Sequence, residues 1–194
     1  NATPISDREA YFKDLPEEDS PFARFYGSGS WAPHGYYKDH SPYRTYDFSR
    51  ANLLRKYGEE FERLFAKRTH HRFRSWGINT IANWSDESIY LMRKTPYTAT
   101  IHFEARRLEG SEGYWGKFYD VFDPSFRQQL RNRLAREKDR SAGDPWCIGY
   151  FVHNELSWGD DTSLAVAALV SPASQLAKKV FIEDLQAKYE TIAK

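Results

Sequence analysis

The sequence predicts an α/β protein with a parallel sheet. Stretches with apolar residues at helical spacing alternate with short strand-like stretches, and the last of these strands is apolar almost throughout. A strand that helices cover on both faces has this composition, and helices between strands favour parallel pairing.

Residues 1–46 have the composition of an irregular segment. Glycines and prolines interrupt them repeatedly, and aromatic residues fill the intervals. Glycine and proline at this density predict turns and loops. We therefore expect an irregular N-terminal segment, residues 1–46, followed by the α/β domain, residues 47–194.

A long helix is predicted to open the α/β domain. Apolar residues recur at helical spacing from Phe48 onward, and the pattern ends near Trp76. Asp47 or Ser49 is available to cap the start, because a short polar side chain there accepts a hydrogen bond from the first turn.

Three strands are predicted after this helix. Ile78–Trp84 carries threonine and isoleucine in its middle, Tyr97–Phe103 is rich in β-branched residues, and Cys147–Val152 is the apolar strand. A closed α/β barrel has eight strands. Three strands therefore predict part of such a barrel, and we expect the chain to be a fragment of it.

Three further helices are predicted between and after these strands. Pro124–Arg140 lies between the second and third strands, and Asp123 with Pro124 marks its start. Ser163–Val170 and Ser174–Ile192 follow the third strand.

The composition argues against several classes of protein. The 28 basic and 27 acidic residues are interspersed and give a net charge of +1, so nucleic acid is not an expected partner. No apolar stretch approaches the roughly 20 residues of a membrane-spanning helix. The single cysteine, Cys147, excludes an internal disulfide and any multi-cysteine metal site. Aromatic residues reach 16%, which slightly favours carbohydrate binding.

The candidate catalytic residue is Glu155. The apolar strand Cys147–Val152 is followed by His153, Asn154 and Glu155, which places a carboxyl group at the C-terminal edge of the sheet. Parallel α/β folds build their active sites at this edge. In glycosidases a carboxylic acid there protonates the glycosidic oxygen, and an adjacent amide binds the sugar 2-hydroxyl. From position alone, a Glu155 that caps the next helix or pairs with an arginine is equally plausible.

Several blocks of sequence together resemble glycoside hydrolase family 50, the β-agarases and their relatives. The resemblance spans roughly residues 45–194 and is specific in the last block. The blocks are Trp76-Gly-Ile-Asn-Thr-Ile-Ala-Asn-Trp-Ser-Asp86, Pro96-Tyr97-Thr98, Tyr114-Trp-Gly-Lys-Phe118, Phe122-Asp-Pro124 and Asp144-Pro-Trp-Cys-Ile-Gly-Tyr-Phe-Val-His-Asn-Glu-Leu-Ser-Trp-Gly159.

This resemblance implies a retaining enzyme built on a (β/α)₈ TIM barrel. Glu155 is then the general acid/base at the end of the fourth strand, and Asn154 is the contact to the 2-hydroxyl. The three predicted strands become strands 2 to 4 of the barrel. The nucleophilic glutamate belongs to the seventh strand, outside this chain, so the isolated chain is expected to be inactive. The resemblance also implies a polysaccharide or oligosaccharide substrate and a secreted or periplasmic parent enzyme.

Four other residues are candidates for substrate binding. Asn83 and Trp84 close the predicted strand Ile78–Trp84, and Trp158 follows Glu155 as a possible stacking platform, although core packing is as plausible for each tryptophan. His153 stands where the family more often has aspartate. Its imidazole either tunes Glu155 when charged or is a strand-end histidine with a satisfied hydrogen bond, and the second interpretation is favoured.

No cofactor and no metal are expected. His70 and His71 are adjacent on a helix and point about 100° apart, which does not form a paired ligand face. Two alternatives to an enzyme fragment stay open. One is a non-catalytic carbohydrate-binding or structural half-barrel that self-associates to cover its exposed edges. The other is a free-standing α/β domain whose likeness to hydrolases is architectural only.

Overall fold

The computed structural model describes residues 2–191, and the chain divides into two compact units, Asn1–Gly77 and Ile78–Lys194. The first unit has one hydrophobic core, to which residues before and after position 46 both contribute. The buried members of this core are Ile5, Phe25, Tyr46, Ala51, Leu54 and Phe61.

The first unit contains three short strands that the sequence analysis did not predict. They are β1 (Thr3–Pro4), β2 (Tyr26–Gly29) and β3 (Tyr43–Tyr46), which form an antiparallel sheet in the order β1-β3-β2. Gly29 lies so close to the Tyr43 ring that a Cβ atom there would be 2.4 Å from it. The glycines that suggested a loop therefore allow two backbones and a ring to approach closely.

Two helices replace the single long helix that was predicted. They are α1 (Phe48–Tyr57) and α2 (Phe61–Ser75), and a 3₁₀ turn at Gly58–Glu60 separates them. Gly58 has a φ of 69°, which glycine adopts without strain and which ends α1. Asp47, one of the two predicted caps, accepts a hydrogen bond of 2.9 Å from the backbone N–H of Arg50.

The second unit is built on two parallel strands. After the short helix α3 (Glu87–Tyr90), β4 (Tyr97–Ile101) pairs in parallel with β5 (Cys147–Val152), and α4 (Pro124–Ala135) lies between them in sequence. The predicted bounds of β5 are confirmed. Asp123 caps α4 as expected by accepting from Ser125, although the helix ends five residues before the predicted Arg140.

The predicted strand Ile78–Trp84 is wrong for all but one residue. Ile81 alone bridges β4 in parallel: its N–H donates to Pro96 at 2.8 Å, and its carbonyl accepts from Thr98 at 2.9 Å. The chain turns at once afterwards, and Trp84 has a φ of 65°, which interrupts the extended backbone. The run of threonine and isoleucine was too short to distinguish a strand from a single bridging residue.

The expectation that helices cover β5 on both faces is also wrong for this chain. Ile148 is 61% exposed, and Tyr150, Phe151 and Val152 are exposed as well. Among the described residues β5 pairs only with β4 and forms the edge of a two-stranded sheet. The α/β class and the parallel pairing are confirmed, while the closed barrel stays a prediction.

Polar contacts hold the two strands at both ends. At one end Asp144 accepts from the Tyr97 hydroxyl, from Arg93 Nε and from the Trp146 N–H, at 2.8, 2.8 and 2.9 Å. Toward the other end Arg133 of α4 donates to the Thr100 carbonyl at 2.7 Å. These contacts tie α4 and the loop that follows it to the sheet.

Two helices complete the second unit. They are α5 (Ser163–Val170) and α6 (Leu176–Tyr189), and the predicted end of the last helix, Ile192, lies outside the described residues. The buried side chain of Gln175 accepts from Glu109 N–H at 3.0 Å and donates to the Arg107 carbonyl at 2.7 Å. No helix within residues 2–191 is long and apolar enough to cross a membrane.

Candidate active site

The candidate site lies at the C-terminal edge of β4 and β5. Parallel pairing sets Ile101 opposite Val152, so the residues that follow them, His102 and His153, meet with their Nδ1 atoms 3.4 Å apart. Glu155 lies two residues beyond His153. This is the edge at which the sequence placed the candidate carboxyl group.

Glu155 is exposed and accepts a hydrogen bond from an indole. Nε1 of Trp115 donates to Oε2 of Glu155 at 2.5 Å. Glu155 has a φ of 46°, in the left-handed region that non-glycine residues seldom adopt. Strained backbone of this kind is frequent at functional sites.

The structure argues against two non-catalytic roles for Glu155, as a cap of the next helix and as the partner of an arginine. Asp160, not Glu155, serves the start of α5: its Oδ1 accepts from the backbone N–H groups of Thr162 and Ser163 at 2.9 and 2.8 Å. Hydrogen bonds from Ser163 and Thr162 lower the pKa of Asp160 to about 2. Within residues 2–191 no ion pair joins Glu155 to an arginine.

Sequence reasoning missed Trp115 as a site residue, although the block Tyr114–Phe118 contains it. This loop, which we call the aromatic loop (residues 113–118), touches the segment after β5 at two further points. Gly113 lies against Ser157, where a Cβ atom would be 2.0 Å from the hydroxyl oxygen. The rings of Phe118 and Trp158 have centroids 5.0 Å apart. The two loops are thus packed together along their length.

His153 is buried among aromatic rings and is only 4% exposed. Its ring stacks on Tyr119 at 4.6 Å and lies 4.3 Å from Phe103. Burial, followed by the charges of His102 and Arg107, lowers the pKa of His153 to about 4. The imidazole is therefore neutral near neutral pH, which argues against a charged partner for Glu155. Its Nδ1 lies within hydrogen-bonding distance of Nδ1 of His102, whereas its Nε2 has no hydrogen-bond partner, so one of the two ring nitrogens is satisfied.

The remaining candidates lie on two segments, one joined to the end of β4 and one that follows β5. Asn83 accepts a hydrogen bond from the Thr100 hydroxyl, which also accepts from the Trp84 N–H at 3.4 Å. Asn83 and Trp84 are thus joined to the end of β4, and Trp84 is exposed. Asn154 is exposed beside Glu155, and Trp158 is exposed against Phe118.

Residues 2–191 contain no group of three or more histidine, cysteine, aspartate or glutamate side chains placed to hold a metal ion. The edge itself carries a carboxyl group, side-chain amides, imidazoles and aromatic rings.

Comparison with known proteins relates this geometry to a family. No profile of a known protein family matches the chain. β-Agarase B of Vibrio sp. (strain JT0107) is 34% identical over 200 residues, which cover 95% of this chain and 20% of the relative. The solved structure of an exo-β-agarase superposes with a TM-score of 0.84 at 29% identity, over 96% of this chain and 26% of that one. The structure of PfGH50B gives a TM-score of 0.84 at 27% identity, over 96% and 28% of the two chains.

These similarities confirm the resemblance that the sequence blocks suggested. The chain is a β-agarase-like segment that resembles one part of the enzymes of glycoside hydrolase family 50. It spans between a fifth and three tenths of the length of these relatives.

The contact between Gly113 and Ser157 leads to a first prediction. Gly113→Ala should lower the free energy of unfolding by about 1–3 kcal/mol, because the new methyl group has no room. Gly149→Ala is the matched control, since a Cβ atom there meets nothing within 4 Å. Urea unfolding of both variants tests this, and equal stability of the two would contradict it.

The burial of His153 leads to a second prediction, on pH. Between about pH 6.5 and about pH 4 the unfolded chain binds a proton that the folded chain does not, so stability should fall as the pH falls through this range. His153→Gln should flatten that dependence, whereas His71→Gln, at an exposed position, should leave it unchanged. Urea unfolding at several pH values measures this, and parallel curves for the wild type and His153→Gln would refute it.

Proposed function

We propose that this chain is the part of a retaining β-glycoside hydrolase that carries its general acid/base, Glu155. The observation that supports this best is the carboxyl group of Glu155 at the C-terminal end of a parallel strand, held by the indole of Trp115. Exposure of the carboxyl group leaves it accessible to a substrate.

The proposed reaction divides the work between two carboxyl groups. Glu155 protonates the glycosidic oxygen while a nucleophilic carboxylate attacks the anomeric carbon, and Glu155 then removes a proton from the water that releases the sugar. The side-chain amide of Asn154 binds the 2-hydroxyl. Asn83, Trp84 and Trp158 line the cleft, and His153 supports the edge as a neutral, buried group.

The second carboxyl group is proposed to come from outside this chain. In a retaining enzyme the two groups lie about 5–5.5 Å apart. Glu183 lies within α6 and Glu190 ends it, on the helical layer rather than at the strand ends. We therefore propose that the isolated chain does not hydrolyse its substrate.

The names of the relatives support a substrate for the parent enzyme. They include β-agarase B and an exo-β-agarase. We propose that the parent cleaves β-linked galactan, with agarose as the main substrate, and that it is secreted because such a polymer lies outside the cell.

A third prediction tests this function directly. The purified monomeric chain should release no reducing sugar from agarose or from neoagaro-oligosaccharides, because it supplies one carboxyl group of the two. Joined to the complementary part of a related agarase, it should become active. Glu155→Gln should then reduce kcat/KM by at least about a hundredfold, since general acid catalysis typically contributes that much.

The matched control for that assay is Glu183→Gln, on the exposed side of α6. It should retain wild-type activity. Hydrolysis by the monomeric chain, or unchanged activity of Glu155→Gln, would contradict the proposal.

The exposed strand favours a second candidate function, a non-catalytic half-barrel that associates with copies of itself. Ile148, Tyr150 and Val152 alternate along β5, so they lie on one face of an edge strand. Exposed apolar faces and unpaired strand edges drive association.

Sedimentation provides a fourth prediction for this candidate. The chain should form dimers or larger species, and the double variant Ile148→Thr/Val152→Thr should shift it toward monomers because the apolar face is lost. Ile182→Thr, an exposed isoleucine on α6, is the control and should leave the distribution unchanged. A strictly monomeric wild type would exclude self-association.

A further inference from the structure

Within the described part of the chain, Glu155 accepts a hydrogen bond through one of its two carboxyl oxygens only. Trp115 donates its indole N–H to Oε2 at 2.5 Å. An indole N–H is a donor and never an acceptor, so the direction of this hydrogen bond is unambiguous. The two oxygens of Glu155 are therefore chemically distinct.

The loop that carries the indole is packed on both sides of Trp115. Gly113 is pressed against Ser157, and Phe118 lies against Trp158, so the aromatic loop is anchored before and after Trp115. The ring of Trp115 also meets that of Tyr114 at 4.7 Å in an edge-to-face arrangement. A side chain on a loop anchored in this way loses less freedom when it forms a hydrogen bond than one on an unanchored loop.

We propose that Trp115 is a positioning residue that selects the oxygen on which Glu155 carries its proton. A proton on Oε2 would compete with the indole proton for the lone pairs of that oxygen and weaken the hydrogen bond. A proton on Oε1 keeps that bond and leaves the O–H free to point at a ligand. This inference rests on the proposed role of Glu155 as general acid/base.

The consequence for the proposed reaction is a defined path for the proton. The proton leaves Oε1 for the glycosidic oxygen as the bond from that oxygen to the anomeric carbon breaks. The electron pair of the former O–H bond stays on Oε1, and the indole N–H donates to Oε2 before and after the transfer. Trp115 thus orients the group without touching the reacting atoms.

The test uses the indole N–H signals of the ¹⁵N-labelled chain. Its six tryptophans give six such signals, and the one missing from Trp115→Phe identifies Trp115. As the pH is lowered, this signal should move with protonation of Glu155 and should remain protected from exchange with solvent on both sides of the transition. In Glu155→Gln the movement should be lost, and in Glu183→Gln it should persist.

Several results would overturn the inference. A Trp115 signal that ignores pH, or that moves equally in Glu155→Gln, would show that the indole does not report on Glu155. Loss of exchange protection upon protonation would assign the proton to Oε2. Unchanged backbone amide signals establish that each variant is folded. The measurement needs no hydrolysis. If the Trp115 signal follows protonation of Glu155 but Glu155 proves non-catalytic, the proposed function is rejected and the contact between Trp115 and Glu155 is not.

Discussion

Parallel pairing between β4 and β5 determines where the candidate site residues lie. Ile101 lies opposite Val152 in this register, so the two strands end at the same edge of the sheet. His102, His153 and Glu155 lie within three residues of these strand ends. The evenly spaced hydrogen bonds of a parallel pair can form again after a shift of two residues, so they do not by themselves fix the register. Arg133 on the crossover helix and the buried carboxylate of Asp144 add contacts that a shifted register would break.

Sequence reasoning worked where local chemistry decides the structure. The bounds of β5 were predictable because an apolar run is bracketed by Asp144-Pro145 on one side and by Asn154 on the other. The starts of α1 and α4 were predictable because Asp47 and Asp123 satisfy backbone donors within three residues. The position of Glu155 followed from the end of β5.

Sequence reasoning failed where contacts distant in sequence decide. Ile81 joins the sheet only through the two hydrogen bonds that β4 offers it, and no local pattern distinguishes one bridging residue from a strand. Trp115 is 40 residues from Glu155, and nothing in its own neighbourhood marks it as a partner of that carboxylate. The neutral state of His153 depends on rings from Phe103 and Tyr119, which only the fold brings together.

The packing of the aromatic loop against the segment after β5 has a consequence for how such proteins can be recombined. Two stretches of chain that belong to successive strand–helix units fit each other through a missing Cβ atom at position 113 and a ring pair at 118 and 158. A chimera that takes one stretch from a relative without the other loses the complementary packing between the two stretches. Loop grafting between members of this group should therefore exchange the two stretches together.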